Sequence, residues 1–223
     1  MCQSLSHFNP QDALQRRLTL RGVPLQVSLT RRGDTDYRHG AAFIRRRYWL
    51  SYGARPRVNA PFLVVLKDDQ GHCRAAAGLT RAAGQSVFLE QYLPEPLEHC
   101  ITLLAGVPVS RDHIIEISSL AADGSGTGRL LFIAVTALLP HLQGDWIAFT
   151  ATRQVRNIFH RLGLGPVALT TAEPGRLNGG HECWGRYYDH DPQVMAGQVA
   201  LGHDRLVQAG WITGREVRHD VVA

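Results

Sequence analysis

Apolar residues recur along this chain at two spacings, every second position and every third or fourth, and the switches between them delimit its elements. Leu25-Gln26-Val27-Ser28-Leu29 alternates as a half-buried strand does. Asp34 or Thr35 can cap a helix that runs through Ala41, Phe43, Ile44, Tyr48 and Leu50 and ends at Gly53. Phe62-Leu63-Val64-Val65-Leu66 reads as a strand, Asp68-Asp69-Gln70-Gly71 as a turn, and residues 73–80 as the antiparallel return. Residues 87–93 predict a further short strand, closed by Pro94 and Pro96, and residues 114–120 another. A helix follows through Leu130, Leu131, Ile133, Ala134, Ala137 and Leu138, ending near 140–144. Residues 146–151 are a strand, and Thr152 caps a helix through Val155, Ile158, Phe159 and Leu162 that Gly163 and Gly165 stop. The last clear strand is 167–170. A loop-rich stretch from Pro174 leads to a helix expected over 193–208. The order predicts an α/β fold with a mixed sheet and helices on its faces.

Between strand 114–120 and the next helix lies Ala121-Ala122-Asp123-Gly124-Ser125-Gly126-Thr127-Gly128-Arg129. Strand, glycine loop and helix N-terminus together hold phosphate well. Glycines let the backbone approach, unpaired N–H groups point outward, and the helix dipole favours negative charge. A Rossmann site does not fit, because the third glycine is misplaced and the ribose-binding acid about 20 residues on is absent.

Residues 1–20 read as a polar lead-in, 21–175 as the core and 176–223 as a loop-rich and helical extension packed on it. With 223 residues the chain can bury a sizeable core. The formal net charge of +5 rests almost wholly on arginine, since Lys67 is the one lysine. Arginine grips phosphate in a planar, bidentate way, so an anionic ligand fits. The basic residues are dispersed, and no zinc-finger or RNA-binding motif accompanies them, which argues against nucleic acid. Cys2, Cys73, Cys100 and Cys183 show no metal-ligand spacing, and no metal is expected. The N-terminus carries no apolar signal core, and no stretch approaches the ~20 apolar residues of a membrane helix. A cytoplasmic protein with reduced thiols and no transmembrane segment is the expectation.

The order of elements resembles the acyltransferase fold of the GNAT superfamily, and within it the chain resembles the thermostable hemolysin family over nearly its whole length. The matching segments are Phe43-Ile44-Arg45-Arg46, Phe88-Leu89-Glu90-Gln91-Tyr92-Leu93 and Glu116-Ile117-Ser118-Ser119-Leu120-Ala121, then 146–152, 156–164, 184–189 and 192–197. Glu116-Ile117-Ser118-Ser119-Leu120 is also similar to a strand of acyl-homoserine-lactone synthases. The resemblance implies a mostly antiparallel sheet whose central strands splay, with an acyl-pantetheine lying across the opening. It implies that the backbone of Ile117, Ser118, Ser119, Leu120, Ala121 and Ala122 pairs with pantetheine amides. Gly124, Gly126, Thr127, Gly128 and Arg129 would hold phosphate, with Thr152 and Asn157 against the same cofactor. Three positions depart from the pattern. Asp123 stands where the GNAT loop has Arg or Gln. Phe159 replaces the tyrosine that protonates the departing thiolate. Ser119 replaces the arginine of the lactone synthases.

Acyl transfer from a thioester needs an amine, a base and donors for the developing oxyanion. Glu116 is the first base candidate, because burial among isoleucines would raise its pKa; its bland alternative is an ion pair with Arg111 or Arg129. Glu90 and Tyr92, two residues apart on the expected strand, would share a face and bind the amine. Trp184, Tyr187 and Tyr188, with Asp189 and His190, would line the acceptor pocket or cap an acyl tunnel. His113 and His160 read as surface or packing residues. Arg45, Arg46 and Arg47 would meet an acidic acyl carrier protein. No Ser–His–Asp or Cys–His arrangement supports an acyl-enzyme. The expectation is an N-acyltransferase using acyl-CoA or a carrier-bound phosphopantetheine thioester, with a small-molecule amine such as an amino acid as acceptor. A membrane-active lytic protein and a non-catalytic GNAT-shaped binding protein are the alternatives.

Overall fold

The computed structural model describes residues 15–20, 23–124, 126–179 and 181–212, and in it the alternating segments join into one eight-stranded sheet. The strands are β1 (Gln15–Leu20), β2 (Val23–Arg31), β3 (Phe62–Lys67), β4 (Cys73–Arg81), β5 (Ile114–Ala122), β6 (Trp146–Ala151), β7 (Val167–Thr171) and β8 (Gln193–Gln198). Their order is β1-β2-β3-β4-β5-β6-β8-β7. Only β5 and β6 run parallel, because a helix rather than a tight turn joins them. The helices are α1 (Thr35–Tyr52), α2 (Leu97–Ala105), α3 (Thr127–Leu138), α4 (Arg153–Arg161) and α5 (Val199–Gln208). No helix among the described residues is long and apolar enough to cross a membrane.

Three expected elements are corrected. Residues 15–20 belong to the sheet as β1, paired from Gln15↔Ser28 to Leu20↔Val23; Arg16 and Arg17 hide the strand pattern, and charge is common on an edge strand. Residues 193–208 are two elements. Gln193–Gln198 is β8, inserted between β6 and β7, and only then does α5 begin, burying Val199 and Leu206 in the core. The expected strand 87–93 is a 3-10 helix (Phe88–Tyr92), because the Glu90 carboxylate turns back on the Val87 and Leu97 N–H groups. Helix α2, which the pattern left unassigned, buries Leu97 and Ile101. Two caps also differ. Thr152 and Asp34 occupy N-cap positions, yet neither side chain caps its helix. Asp34 instead accepts from the Arg31 N–H and the Thr30 hydroxyl.

The two faces of the sheet hold different helices. Leu131, Ile133 and Leu138 of α3 pack on Val64, Leu66, Ile115, Ile117 and Phe149, each large side chain contributing about 2 kcal/mol by leaving water. On the other face α1 packs Ile44, Tyr37 and Ala41 on Leu63, Val65 and Ala76. That same face carries a second cluster around Leu89, Tyr92, Leu97 and Ile101, over Ile114 and Ala148.

Two irregularities in β5 open the sheet. First, β5 pairs with β6 only from Ile114↔Trp146 to Ile117↔Phe149; beyond that the strands diverge, β5 staying with β4 and β6 with β8. This is the expected splay. Second, Gly78↔Ser118 and Ala76↔Ala121 are partners, so β5 has one residue more than β4, and Ser119 takes a positive φ of 53°. The bulge resets the alternation, which is why Glu116 and Ala121 both face α1 although five residues separate them. Gly78 makes room for it: a Cβ there would lie 2.7 Å from both the Ala60 Cβ and the Ser118 Oγ.

Candidate active site

The gap between the two clusters on the α1 face is a cavity of about 680 Å³. Glu116 and Ser118 form part of its sheet wall, Phe88 and Tyr92 one flank, and Trp184 and Tyr187 another. Ile117, Ser119 and Leu120 also reach it, so the β5 bulge lies along the cavity wall.

The aromatic flank is fixed from two sides. Gly185 has room for no side chain, since a Cβ would fall 2.2 Å from the Tyr52 carbonyl oxygen. That close approach lets the Arg186 N–H donate to Tyr52 at 2.8 Å, while the Arg55 N–H donates to Cys183 at 2.6 Å. The loop over 181–190 is thereby seated on the end of α1. Tyr187 stacks on Tyr48 at 6.1 Å, and Trp184 lies 5.2 Å from Tyr187 and 5.7 Å from Phe88. The hydroxyls of Tyr92 and Tyr188 are 2.7 Å apart. Burial, and for Tyr92 the neighbouring Tyr188 as well, pushes Tyr48, Tyr92 and Tyr187 above the ordinary tyrosine range, so they stay protonated.

Glu116 is 4% exposed and, among the described residues, has no cation beside it. Its oxygens accept from the Leu89 N–H at 2.8 Å and the Phe88 N–H at 3.2 Å. Burial pushes its carboxyl from 4.5 up to about 7; the two N–H donors oppose the rise, and the negative charge of Glu90 adds to it. A group with that value is half ionised near neutrality and can both take and return a proton.

Arg111, one expected partner of Glu116, binds Glu90 instead at 2.7 and 2.8 Å. Glu90 is buried enough for desolvation to raise its pKa, but Arg111 and the Leu97 and Val87 N–H groups hold it below the usual carboxylate range. Glu90 and Tyr92 do not share a face. On a 3-10 helix residues two apart point in different directions, and here one meets Arg111 while the other meets the cavity. Arg129, the second expected partner, lies 5.9 Å over the Trp211 ring. His113 is exposed and pairs with Asp145 at 2.6 Å; His160 is exposed on α4.

The glycine loop sits at the far end of β5, where α3 begins with Thr127 after Gly126. Asp123 there accepts from the Thr127 hydroxyl at 3.0 Å and is bonded by the Arg74 guanidinium, which also reaches Asp68 at 3.2 Å. Arg74 thus places a cation beside the loop from β4, a position no linear motif would flag. Gly128 packs its backbone near Ile158 and Ala122. Thr152 is buried, and Asn157 is exposed on α4. Phe159 is core, stacked on Phe149 at 4.9 Å and tilted against Phe132 at 4.5 Å. Among the described residues no group of three or more His, Cys, Asp or Glu is placed to hold a metal ion.

Arg55, Arg57 and Asn59 also line the cavity, and the sequence reading passed over them. They alternate with buried Ala54, Pro56, Val58 and Ala60 along an extended segment, which the Tyr37 hydroxyl pins by donating to Ala60 at 2.6 Å. Apart from these two arginines, Glu116 is the one charged residue in the cavity wall among the described residues. Arg45, Arg46 and Arg47 are on α1, across the sheet from α3 and its loop.

Comparison with solved structures finds the same architecture. The AHL synthase LasI aligns with a TM-score of 0.56 at 13% identity, over 89% of this chain and all (100%) of that one. FeeM, an N-acyl amino acid synthase from uncultured soil microbes, aligns with a TM-score of 0.55 at 13% identity, over 83% of this chain and 97% of its own. At such identity the likeness is one of fold, a GNAT-like mixed sheet. No curated protein sequence matches the chain. The family model for thermostable hemolysin matches residues 30–203, most of the chain's length, and the chain belongs to the thermostable hemolysin family.

Proposed function

We propose that the protein is an N-acyltransferase that passes an acyl group from a pantetheine thioester directly to an amine carrying an acid group. One observation carries this reading: among the described residues, a single buried carboxylate with no cation partner, at the point where the sheet splays, in a cavity whose other charges are two arginines. An amino acid matches that charge arrangement. Its amine would meet Glu116, and its carboxylate Arg57 or Arg55, whose planar heads bind carboxylates well. The LasI and FeeM likenesses agree with it at the level of fold.

In the reaction the neutral amine nitrogen attacks the thioester carbonyl carbon, and Glu116 takes the proton that the nitrogen sheds. The C–S bond breaks, the amide forms and the thiolate leaves with the bonding pair. The β5 edge past Ile117, which β6 no longer covers, is available to the amides of the pantetheine arm. The donor phosphates would meet Gly126, Thr127 and Gly128 at the α3 N-terminus, with Arg74 offsetting Asp123. With Phe159 buried in the core, the thiolate takes its proton from solvent or from the protonated Glu116.

The test is release of free thiol from long-chain acyl-CoA and from acyl carrier protein, each against a panel of amino acids and their amides. Thiol release that depends on an amino acid, with matching N-acyl product by mass spectrometry, is the expected result. Release with neither donor overturns the reading. The same panel chooses between the two donors.

A further inference from the structure

Between Asp36 and Asp68 the chain carries six arginines and Lys67 and no carboxylate. The structure gathers four of these arginines on one surface. Arg45 and Arg46 are exposed on the last turns of α1, three and four residues before Trp49, and therefore share its face. Arg55 and Arg57 project from the extended segment after the helix, and all five residues line one open groove with no acid in its wall. Among the described residues, none of the four arginines forms an ion pair with a carboxylate. Trp49 is 50% exposed with the Arg55 guanidinium 4.6 Å over its ring, and Leu50 beside it is 60% exposed.

We propose that this surface docks on an anionic lipid bilayer. Arginines supply attraction to acidic headgroups, and an indole with an adjacent leucine supplies the apolar contact that sits at the headgroup level. Charge alone would suit any acidic partner; it is the exposed Trp49 and Leu50 among unpaired arginines that select a lipid surface. An acidic carrier protein is a poorer match, because its pantetheine arm would enter at the loop before α3, on the other face of the sheet. The groove shares Arg55, Pro56, Arg57 and Asn59 with the cavity, so docking would hold the cavity mouth at the bilayer. On the acyl-transfer reading, an amphiphilic N-acyl product would then pass from cavity to membrane without crossing water.

Flotation of the full chain with phosphatidylcholine vesicles, with and without phosphatidylglycerol, tests this without any acyl donor. Binding only to the anionic vesicles, released by high salt, is expected. Arg45→Gln with Arg46→Gln should weaken partitioning about twenty-fivefold, at about fivefold per charge. Leu50→Ser should weaken it as well, and the fluorescence blue shift on vesicle addition should be lost in Trp49→Phe. Thermal melts and lipid-free thiol release, unchanged in these variants, separate a failed docking surface from a failed fold or a failed transferase. Equal binding to neutral vesicles, or insensitivity to the arginine substitutions, overturns the proposal. So does absence of vesicle binding where an acidic carrier protein binds and the arginine substitutions abolish that binding; the surface then belongs to a protein partner.

Discussion

Arg111 holds both oxygens of Glu90, at 2.7 and 2.8 Å, and also bonds Glu98 and the carbonyls of Ala82 and Gln85. One guanidinium therefore ties the 3-10 helix, α2 and the end of β4 together beneath the cavity flank. Arg111→Ala leaves Glu90 partly buried without its cation and should cost about 3 kcal/mol of stability in urea unfolding. Arg111→Lys should recover less than half of that, because an ammonium cannot bridge both oxygens and the carbonyls at once.

Glu116 makes activity and stability depend on pH in opposite directions. As a base it must be ionised while the attacking amine must be neutral, so kcat/KM should climb in a steep limb up to about 7 and rise less steeply above it until the amine itself is deprotonated. Glu116→Gln should lower turnover by about 10²–10⁴-fold and abolish that limb. For stability, the folded pKa of about 7 lies above the ordinary 4.5, so the native state binds more protons between them. Stability is therefore greatest below 4.5 on this account and declines as pH rises through 7, by up to about 3 kcal/mol. Thermal melts over that range should show a flatter curve for Glu116→Gln than for the parent.

Residues whose role depends on local pattern were legible in the sequence. The Phe62–Lys67 and Cys73–Arg81 hairpin, the Trp146–Ala151 strand and the glycine loop before α3 all stand where periodicity and turn residues put them. What the pattern misjudged was set by long-range partners. Residues 87–93 alternate like a strand, yet Glu90 bends them into a 3-10 helix because Arg111, 21 residues away, is there to receive its carboxylate. Gln193–Gln198 became a strand because the β6 and β7 edges offered it a place. The burial of Glu116 was readable from its isoleucine neighbours, but its N–H donors at Phe88 and Leu89 come from 28 and 27 residues away. Arg57 and Arg74 carry no motif at all, and only the fold brings them to the cavity and the loop.

Arg57 offers a test of the acceptor's acid group. Arg55 is engaged over Trp49, so Arg57 is the freer of the two cations in the cavity wall. Arg57→Ala should raise KM for an amino acid about tenfold with kcat little changed, the mark of lost ground-state binding. The same substitution should leave KM for the corresponding amino acid amide unaltered. Steady-state kinetics with the acid and its amide in both proteins reads the difference directly.

The bulge in β5 can be probed through its partner strand. Gly78→Ala puts a methyl 2.7 Å from both the Ala60 Cβ and the Ser118 Oγ, closer than Cβ atoms approach in proteins, so both neighbours must give. Overpacking of this kind costs about 1–3 kcal/mol. The cost should fall when Ser118→Gly is added, since that removes one of the two clashing atoms, and the coupling appears as non-additivity in a double-mutant cycle. Activity separates the two contributions. Ser119, the next residue, has a φ of 53° within the bulge that follows the Gly78–Ser118 pair. Displacing Ser118 shifts the strand edge past Ile117, where the donor arm is proposed to pair. Gly78→Ala should accordingly raise KM for the thioester and leave KM for the amine within about twofold, at a temperature where both proteins are fully folded. A variant that lost stability but bound the thioester as the parent does would show that the donor lies elsewhere than on the bulged strand.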